Sequence, residues 1–365
     1  MAQKRGIMKS IVQFGGIPWT FRQQRPQMMA KLLAKHYPLV YVDANLSNEG
    51  VTRVGNQLYL GSLRGSGLVR HALRIDPKEV ADSLNAVMKM LNIDKPIFLF
   101  DYPYWQPILK YTKPYKILYN CMDDYTEFSD LNVVKDIIDA QEVELFKSSD
   151  LVYCTSIGLY EKAKKYSDNV VIIRNGCNWE NLGITSSKPK DLPYGKIVGY
   201  VGAIAEWFNQ EIVANLSAKL PHWNFVLIGN SSVNIEALRK RENIFLYGEQ
   251  KHEKAMQYMR HFDVGIIPFN ENLPIMKACN AVKYYEYCAA GKPIVSSPLN
   301  EIIELKRQGK VIYISESLEN WPNRVQEAYK DSLVEGFSEI VRNQVKKDTW
   351  DQRVNHLVKE IKKLG

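Results

Sequence analysis

The feature that most constrains this fold is an alternation of short strand-like runs with helical stretches. The runs Ser10–Phe14, Leu39–Val42 and Lys116–Tyr119 are predicted strands, and helical patterns such as Pro77–Leu91 separate them. Alternation of this kind is typical of parallel sheets whose strands are joined by crossover helices. Disordered, collagen-like and coiled-coil chains are excluded, because 45% hydrophobic and 24% charged residues are ordinary globular proportions.

A break in the alternation divides the chain. Residues 186–195 (SSKPKDLPYG) lack apolar periodicity and are rich in proline, serine and lysine, which is a linker composition. The alternation restarts with a predicted strand at Lys196–Val201, and a length of 365 residues suits two domains. The sequence therefore predicts one domain at residues 1–187, a second at 188–345 and a C-terminal helix within 346–365.

The cysteines, histidines and apolar runs narrow the class of protein. Five scattered cysteines show neither zinc-ligand nor redox spacing, and the six histidines form no metal-binding set, so reduced thiols and no metal are predicted. No run reaches the roughly 18 apolar residues of a membrane span, and the first ten residues lack a signal-peptide core. These patterns predict a soluble cytoplasmic protein.

Positive charge is concentrated in the first third of the chain. Residues 1–120 carry 17 lysines and arginines against 7 aspartates and glutamates, a net charge of +10, whereas residues 121–365 have a net charge of −2. A basic domain favours an anionic partner, and improved solubility is the alternative. No nucleic-acid-binding module accompanies the charge, so we predict no nucleic-acid partner.

One basic stretch, residues 53–74, suits a lipid-linked diphosphate or an anionic membrane face. Its glycine-rich sequence contains Arg64, Arg70, His71 and Arg74. A solvated loop is the alternative interpretation.

Residues 279–295 (CNAVKYYEYCAAGKPIV) carry the most chemical information. Asn280 is predicted to cap a helix that ends at Gly291, a residue suited to the left-handed conformation after a helix. Lys283 and Glu286 are three residues apart and project from one face near the helix start. A lysine there opposes the helix dipole, and an anion bound at that end would reverse this cost. A solvated pair of Lys283 with Glu286 is the alternative.

The run from Lys283 to Ile294 resembles the nucleotide-sugar signature of GT-B glycosyltransferases, K-x-x-E-Y-x-A-A-G-x-P-V, at seven positions. In that family the glutamate accepts hydrogen bonds from the ribose hydroxyls, which implies that role for Glu286, and the lysine meets the diphosphate. The resemblance implies an α/β GT-B fold, in which two doubly wound Rossmann-like domains face a cleft. It also implies a C-terminal helix that crosses back to the first domain.

Further segments resemble the same family in the same order. The implied donor-binding residues are Gly202, Ala203, Gly229, Tyr247, Pro268, Asn280, Val282, Lys283 and Glu286. The implied acceptor-binding residues, in the first loop and helix, are Gly15, Gly16, Trp19 and Arg25. The resemblance is closest to cell-envelope enzymes such as those of teichuronic-acid and xanthan assembly.

Two departures from the family bear on stereochemistry. Many retaining members carry a second glutamate eight positions before the ribose-binding one, and here that position is Ala278. The usual arginine and lysine after the first donor-domain strand are absent, because no cation lies between Lys196 and Lys219. The phosphate charge then falls on Lys283, the helix start and backbone amides. Because the second glutamate is missing at Ala278, an inverting reaction is predicted.

An inverting reaction needs a base that can reach the acceptor hydroxyl. Asp123 and Asp124 follow a predicted strand, and adjacent carboxylates tend to raise the pKa of one of them. They resemble the strand-end aspartate base of the xanthan-type glucuronosyltransferase. Asp123 is the predicted base, with Asp124 as its orienting partner or as the base itself, and capping of the next loop is the alternative. Asp101, at another strand end, is the second candidate.

These observations predict a metal-independent hexosyltransferase without a cofactor. Its co-substrate is a nucleotide-diphosphate sugar, with UDP favoured, and its acceptor is a cell-envelope polysaccharide or a polyprenyl-diphosphate-linked saccharide. Peripheral contact with the anionic inner face of the plasma membrane is expected. The alternatives are a sugar-nucleotide 2-epimerase of the same fold and a non-catalytic nucleotide-sugar-binding protein.

Overall fold

The chain divides into two compact units. The computed structural model describes residues 9–43, 50–69, 72–182 and 187–365. Unit 1 comprises Met1–Arg174 and Trp350–Gly365, and unit 2 comprises Asn175–Thr349. The division after Arg174 precedes the stretch predicted as the linker, because the intervening segment is bonded within unit 2. The Cys177 N–H, for example, donates to the Asp348 carbonyl at 3.1 Å.

Unit 1 contains ten strands and five α-helices among the described residues. The strands are β1 (Ser10–Phe14), β2 (Leu39–Val42), β3 (Gly50–Gly55), β4 (Leu58–Ser62), β5 (Ser66–Val69), β6 (Ala72–Ile75), β7 (Pro96–Phe100), β8 (Lys116–Cys121), β9 (Leu151–Cys154) and β10 (Val170–Ile172). The helices are α1 (Arg25–Leu33), α2 (Pro77–Met90), α3 (Lys135–Ser148), α4 (Ile157–Lys164) and, at the end of the chain, α13 (Trp350–Lys363).

Eight of these strands form one sheet in the order β10-β9-β8-β7-β1-β2-β4-β3, and β5 and β6 form a separate antiparallel pair. Every pairing in the large sheet is parallel except that of β3 with β4. The central strands β1 (SIVQF) and β7 (PIFLF) are buried throughout. Such apolar runs are typical of parallel strands covered by helices on both faces.

The helices of unit 1 follow their sequence signals. Helix α2 begins after Asp76, whose carboxylate accepts the backbone N–H groups of Lys78 and Glu79 at 3.1 and 3.0 Å. Helix α13 packs against α1 and buries one apolar face. The buried residues of that face are Trp350, Val354, Leu357, Val358 and Ile361.

Unit 2 contains six strands and eight α-helices among the described residues. The strands are β11 (Lys196–Val201), β12 (Trp223–Ile228), β13 (Ile244–Leu246), β14 (Val264–Ile267), β15 (Ile294–Ser296) and β16 (Tyr313–Ile314). The helices are α5 (Trp179–Leu182), α6 (Gln210–Lys219), α7 (Glu236–Arg239), α8 (His252–Met259), α9 (Val282–Ala289), α10 (Asn300–Arg307), α11 (Trp321–Ser332) and α12 (Phe337–Asn343).

The sheet of unit 2 is entirely parallel, in the order β13-β12-β11-β14-β15-β16. This doubly wound order confirms the predicted fold class, and each unit has a point where the strand order reverses. That point lies between β1 and β7 in unit 1 and between β11 and β14 in unit 2. Doubly wound sheets bind ligands beyond the carboxyl ends of their strands at this point. Among the described residues, the helices include none with the length and apolar character needed to span a bilayer.

Candidate active site

Asp123 follows β8 and is half-buried. Within the described part of the chain, no hydrogen bond or ion pair is formed by its carboxylate. Burial raises the pKa of Asp123 to about 7, the charge of Asp124 adds to this rise, and the charge of Arg25 opposes it. A carboxylate that titrates near neutral pH is matched to general-base work.

The neighbouring Asp124 has a different environment. Its Oδ1 atom accepts the Lys162 ammonium at 2.7 Å and the Thr126 hydroxyl at 2.9 Å. Lys162 also donates to the buried carboxylate of Glu142 at 2.6 Å. Asp124 is therefore held in an ion pair, whereas Asp123 keeps its carboxylate oxygens available.

Asp101 lies directly after β7, at the reversal point of the sheet, and is completely buried. One of its oxygens accepts the Gln13 amide and the other accepts the Asn120 amide, both at 2.7 Å. Burial raises the pKa of Asp101 to about 6, although these two hydrogen bonds and the charge of Arg25 lower it. With both oxygens engaged, Asp101 is placed to hold β1, β7 and β8 together.

Arg25, the first residue of α1, is buried and bonds inside unit 1. Its guanidinium donates to the Asn120 side chain at 3.1 Å and to the backbone oxygens of Ile173 and Arg174 at 2.8 and 3.1 Å. Burial lowers the pKa of Arg25, while the charges of nearby acidic groups such as Asp101 raise it. Its geometry is that of a buried cation beside the carboxylates.

The remaining acceptor-side residues surround the carboxyl end of β1. A β-carbon built on Gly15 would lie 2.4 Å from the ring of Tyr41, and one on Gly16 would lie 3.0 Å from Tyr102. The Trp19 N–H donates to Asp43 at 2.7 Å, and its ring contacts Tyr41 edge-on at 5.2 Å. The two glycines thus give room to aromatic rings.

The basic stretch 53–74 is described only in part. Arg64 is exposed, while the positions of Arg70 and His71 lie outside the described residues.

In unit 2, Lys283 lies over the turn that follows β11. Its Nζ atom is 5.4 Å from the ring centre of Tyr200 and 5.9 Å from that of Phe269. A β-carbon built on Gly202 would lie 2.5 Å from this Nζ atom, which shows how closely the lysine approaches the turn. Lys283 is the second residue of α9, after Val282, so its ammonium lies near the helix start.

Glu286 lies one turn further along α9 and is half-buried. Burial raises its pKa, and the charges of His252 and Lys283 lower it. A carboxylate flanked by these two groups at the start of a helix can accept hydrogen bonds from ligand hydroxyls. His252, the first residue of α8, was not anticipated from the sequence, since a lone histidine carries no motif.

Two glycines allow close backbone approach at the ends of β11 and β12. A β-carbon on Gly229, where φ is +150°, would lie 1.9 Å from the backbone oxygen of Gly202. The Ala203 carbonyl accepts the Tyr200 hydroxyl at 2.8 Å, and the Pro268 carbonyl accepts the Asn209 N–H at 2.8 Å. The predicted donor residues Gly202, Ala203, Gly229 and Pro268 therefore lie at the carboxyl ends of neighbouring strands.

Asn280 does not cap α9, and that prediction was wrong. Ala281 occupies the N-cap position, and the side chain of Asn280 bonds elsewhere. Its oxygen accepts the Asn175 N–H at 2.9 Å, and its amide donates to Tyr285 at 3.1 Å and Glu301 at 3.2 Å. Asn280 therefore fixes the approach to the helix through neighbouring segments rather than through the helix amides.

Tyr247 follows β13 and packs against Tyr258, with ring centres 5.1 Å apart. Its hydroxyl donates to the backbone oxygen of Asp191, in the stretch predicted as the linker. Burial raises the pKa of Tyr247 to about 12.

The described ranges contain no group of three or more histidine, cysteine, aspartate or glutamate side chains suited to a metal ion.

Comparison with known proteins shows what this chain is similar to. Residues 195–331 match the family model described as glycosyl transferases group 1. A Bacillus subtilis protein named as a teichuronic acid biosynthesis glycosyltransferase is 23% identical over 183 residues, which cover 47% of this chain and 46% of that protein. The UDP-glucuronate:glycolipid 2-beta-glucuronosyltransferase of Xanthomonas campestris is 28% identical over 131 residues, covering 35% and 31%.

The matched segments thus span less than half the length of these relatives. Among solved structures, the sucrose-phosphate synthase of Thermosynechococcus elongatus superposes with a TM-score of 0.73 over 98% of this chain and 99% of that chain, at 14% identity. Residues 195–331 therefore resemble the group 1 glycosyl transferases, and the fold of the chain is that of the GT-B glycosyltransferases.

Proposed function

We propose that this protein transfers a hexosyl group from a nucleoside-diphosphate sugar to a saccharide acceptor of the cell envelope. The observation that carries the proposal is the position of Lys283. Its ammonium lies at the start of α9, against the glycine turn after β11, with Glu286 one helical turn away. A cation beside a helix start favours binding of a diphosphate, and a neighbouring carboxylate can accept hydrogen bonds from ribose hydroxyls.

The relatives support particular substrates. One is named for teichuronic acid biosynthesis, and the other for UDP-glucuronate and a glycolipid. A UDP-sugar donor and a polysaccharide or polyprenyl-diphosphate-linked acceptor follow as the substrate classes proposed for this chain. The net charge of +10 in residues 1–120 favours an acceptor or membrane surface that is anionic.

The proposed chemistry is a single inverting displacement without a metal ion. Asp123 takes the proton of an acceptor hydroxyl while the hydroxyl oxygen bonds to the anomeric carbon. The bond from that carbon to the diphosphate oxygen breaks, and the leaving nucleoside diphosphate keeps the electron pair. Lys283 stabilises the charge that develops on the leaving phosphate.

Titration with a panel of UDP-, GDP- and dTDP-sugars by calorimetry tests the donor, and mass spectrometry of acceptor mixtures tests transfer. Saturable binding of a UDP-sugar with formation of a glycosylated acceptor is expected. An isomerised donor in the absence of acceptor would instead identify a 2-epimerase. Binding without turnover on any acceptor would identify a nucleotide-sugar-binding protein, and absence of binding to the whole panel would contradict the proposal.

A further inference from the structure

A lysine joins three elements of unit 1 beside the proposed base. Lys162, on α4, donates to Asp124 at 2.7 Å and to Glu142 of α3 at 2.6 Å. Glu142 is completely buried, and its second oxygen accepts the hydroxyl of Tyr119, on β8, at 2.6 Å. These bonds fix the residue that lies next to Asp123 along the chain.

Two adjacent carboxylates compete for one proton unless their surroundings differ. Here the Lys162 ammonium and the Thr126 hydroxyl both donate to the same oxygen of Asp124. Asp123 receives no such bond from the described residues. Asp123 and Asp124 are chemically identical, but their different hydrogen-bond partners suit them to different roles.

We propose that Lys162 is a positioning residue, which holds Asp124 as a carboxylate against Glu142 and so leaves Asp123 as the single proton acceptor of the pair. This inference rests on the proposed function, in which Asp123 takes the proton of the acceptor hydroxyl. Lys162 acts through Asp124 and does not contact the reacting atoms.

The two carboxylates that accept hydrogen bonds from Lys162 favour its charged form. Burial acts to lower the pKa of Lys162, but the charges of Glu142 and Asp124 outweigh it and raise the pKa above the usual range. Other titratable side chains lie near this cluster, on the elements around it. Arg25 of α1, Tyr119 and Cys121 of β8, and Tyr125 after β8 interact with the cluster directly. Asp101 after β7, Cys154 of β9 and Arg353 of α13 interact in turn with those groups.

The first test measures the titration of Asp123 directly. Protein labelled with carboxyl-¹³C aspartate is titrated by NMR, and the Asp123 signal is identified as the one missing from Asp123→Asn. In Lys162→Met the Asp123 midpoint should rise by about one pH unit, because the ammonium no longer neutralises the charge of Asp124, and that charge then opposes ionisation of Asp123 more strongly. Lys147→Met, which removes an exposed lysine of α3, is the matched control and should leave the midpoint unchanged.

A double-mutant cycle decides whether Lys162 acts through Asp124. When Asp124→Asn is already present, Lys162→Met should move the Asp123 midpoint by less than about a third of the shift seen alone. An equal shift in both backgrounds, or no shift in either, would overturn the proposal. If Lys162→Met does not fold, Lys162→Gln removes the charge, keeps a hydrogen-bond donor and gives the same decision.

The second test uses the pH profile of sugar transfer. Lys162→Met should move the acid limb of kcat/KM to higher pH while donor affinity stays within about twofold of the original, and Lys162→Arg should restore the profile. A profile that coincides with that of the original protein would contradict the proposal. If the original protein transfers no sugar, the proposed function fails, and the NMR titration still decides the role of Lys162.

Discussion

Asn175 and Asn280 are joined by two hydrogen bonds. The Asn175 N–H donates to the side-chain oxygen of Asn280 at 2.9 Å, and the Asn175 side-chain amide donates to the Asn280 backbone oxygen at 2.7 Å. Both residues are buried, and Asn280 comes two residues before α9. This pair therefore fixes the segment from which the donor-binding helix begins.

We expect Asn280→Ala to lower the free energy of unfolding by about 1–3 kcal/mol, because it leaves the buried Asn175 N–H without its acceptor. Nucleotide affinity should fall as well, since the start of α9 loses its attachment. Chemical denaturation and calorimetry measure the two effects. Asn300→Ala, at an exposed asparagine, is the control, and an Asn280 variant indistinguishable from it would refute this role.

Lys283→Ala and Glu286→Ala should each weaken binding of a nucleoside diphosphate about tenfold or more. One change removes the cation and the other removes hydrogen-bond acceptors, and a charged hydrogen bond contributes roughly 1.5–3 kcal/mol. Calorimetry with UDP measures the loss. Lys219→Ala, at the exposed far end of α6, should bind as the original does. Unchanged affinity in both test variants would remove the donor-site assignment.

Gly229→Ala should abolish donor binding and destabilise unit 2. Its β-carbon would lie 1.9 Å from the Gly202 oxygen, so the turn that Lys283 contacts would have to move. Gly309→Ala is the matched control, because φ is +80° there and the added carbon meets open space. We expect the control to lose only about 1–2 kcal/mol of stability from its backbone conformation. Equal losses in both variants would mean that the close approach is unimportant.

The sequence predicted the doubly wound sheets well, because buried parallel strands such as β7 (PIFLF) and β9 (LVYC) are continuous apolar runs. Prediction was weaker where burial is partial. Strand β3 (GVTRVG) is half-exposed and antiparallel, and its arginine and glycines gave no strand signal. Helices α10, α11 and α12 also went unrecognised, since their apolar residues are sparse, whereas the C-terminal helix α13 was predicted.

The arrangement of candidate side chains was predictable where it follows from local spacing, and it was missed where it depends on residues distant in the sequence. Lys283 and Glu286 are neighbours on one helix, so their spacing could be read directly. Lys162 and Glu142 approach Asp124 from two helices, and only the packed sheet brings them together. Asn280 was misassigned because its partner, Asn175, lies 105 positions earlier in the chain.

The basic first third predicts salt-sensitive binding to an anionic bilayer. Vesicles of phosphatidylglycerol and phosphatidylcholine should retain the protein in flotation at low salt. Retention should fade as salt rises, because the Debye length shortens to about 10 Å at 0.1 M and about 3 Å at 1 M. Phosphatidylcholine vesicles are the control. Binding that ignores salt, or none to either vesicle, would contradict an electrostatic membrane contact.

Asp123→Asn should abolish most turnover and spare donor binding. A positioned base contributes about 10²- to 10⁴-fold to the rate, so kcat should fall within that range while UDP affinity stays within about twofold. In the original protein the acid limb of kcat/KM should lie near pH 7, where Asp123 loses its proton. Asp136→Asn, at an exposed residue of α3, should leave the rate unchanged.

Asp123→Asn should also change the stability of the protein. The pKa of Asp123 is raised on folding from 3.8 to about 7, so the folded protein binds a proton more tightly than the unfolded chain. The cost of ionising Asp123 therefore grows as pH rises from about 4 to about 7 and is fully present above pH 7. Asp123→Asn removes that cost and should unfold at an equal or higher denaturant concentration than the original at pH 8.

NMR of the anomeric proton in fresh product tests the inverting reaction with Asp123 as its base. A retained configuration, or a near-normal rate in Asp123→Asn, would show that Asp123 is not the base.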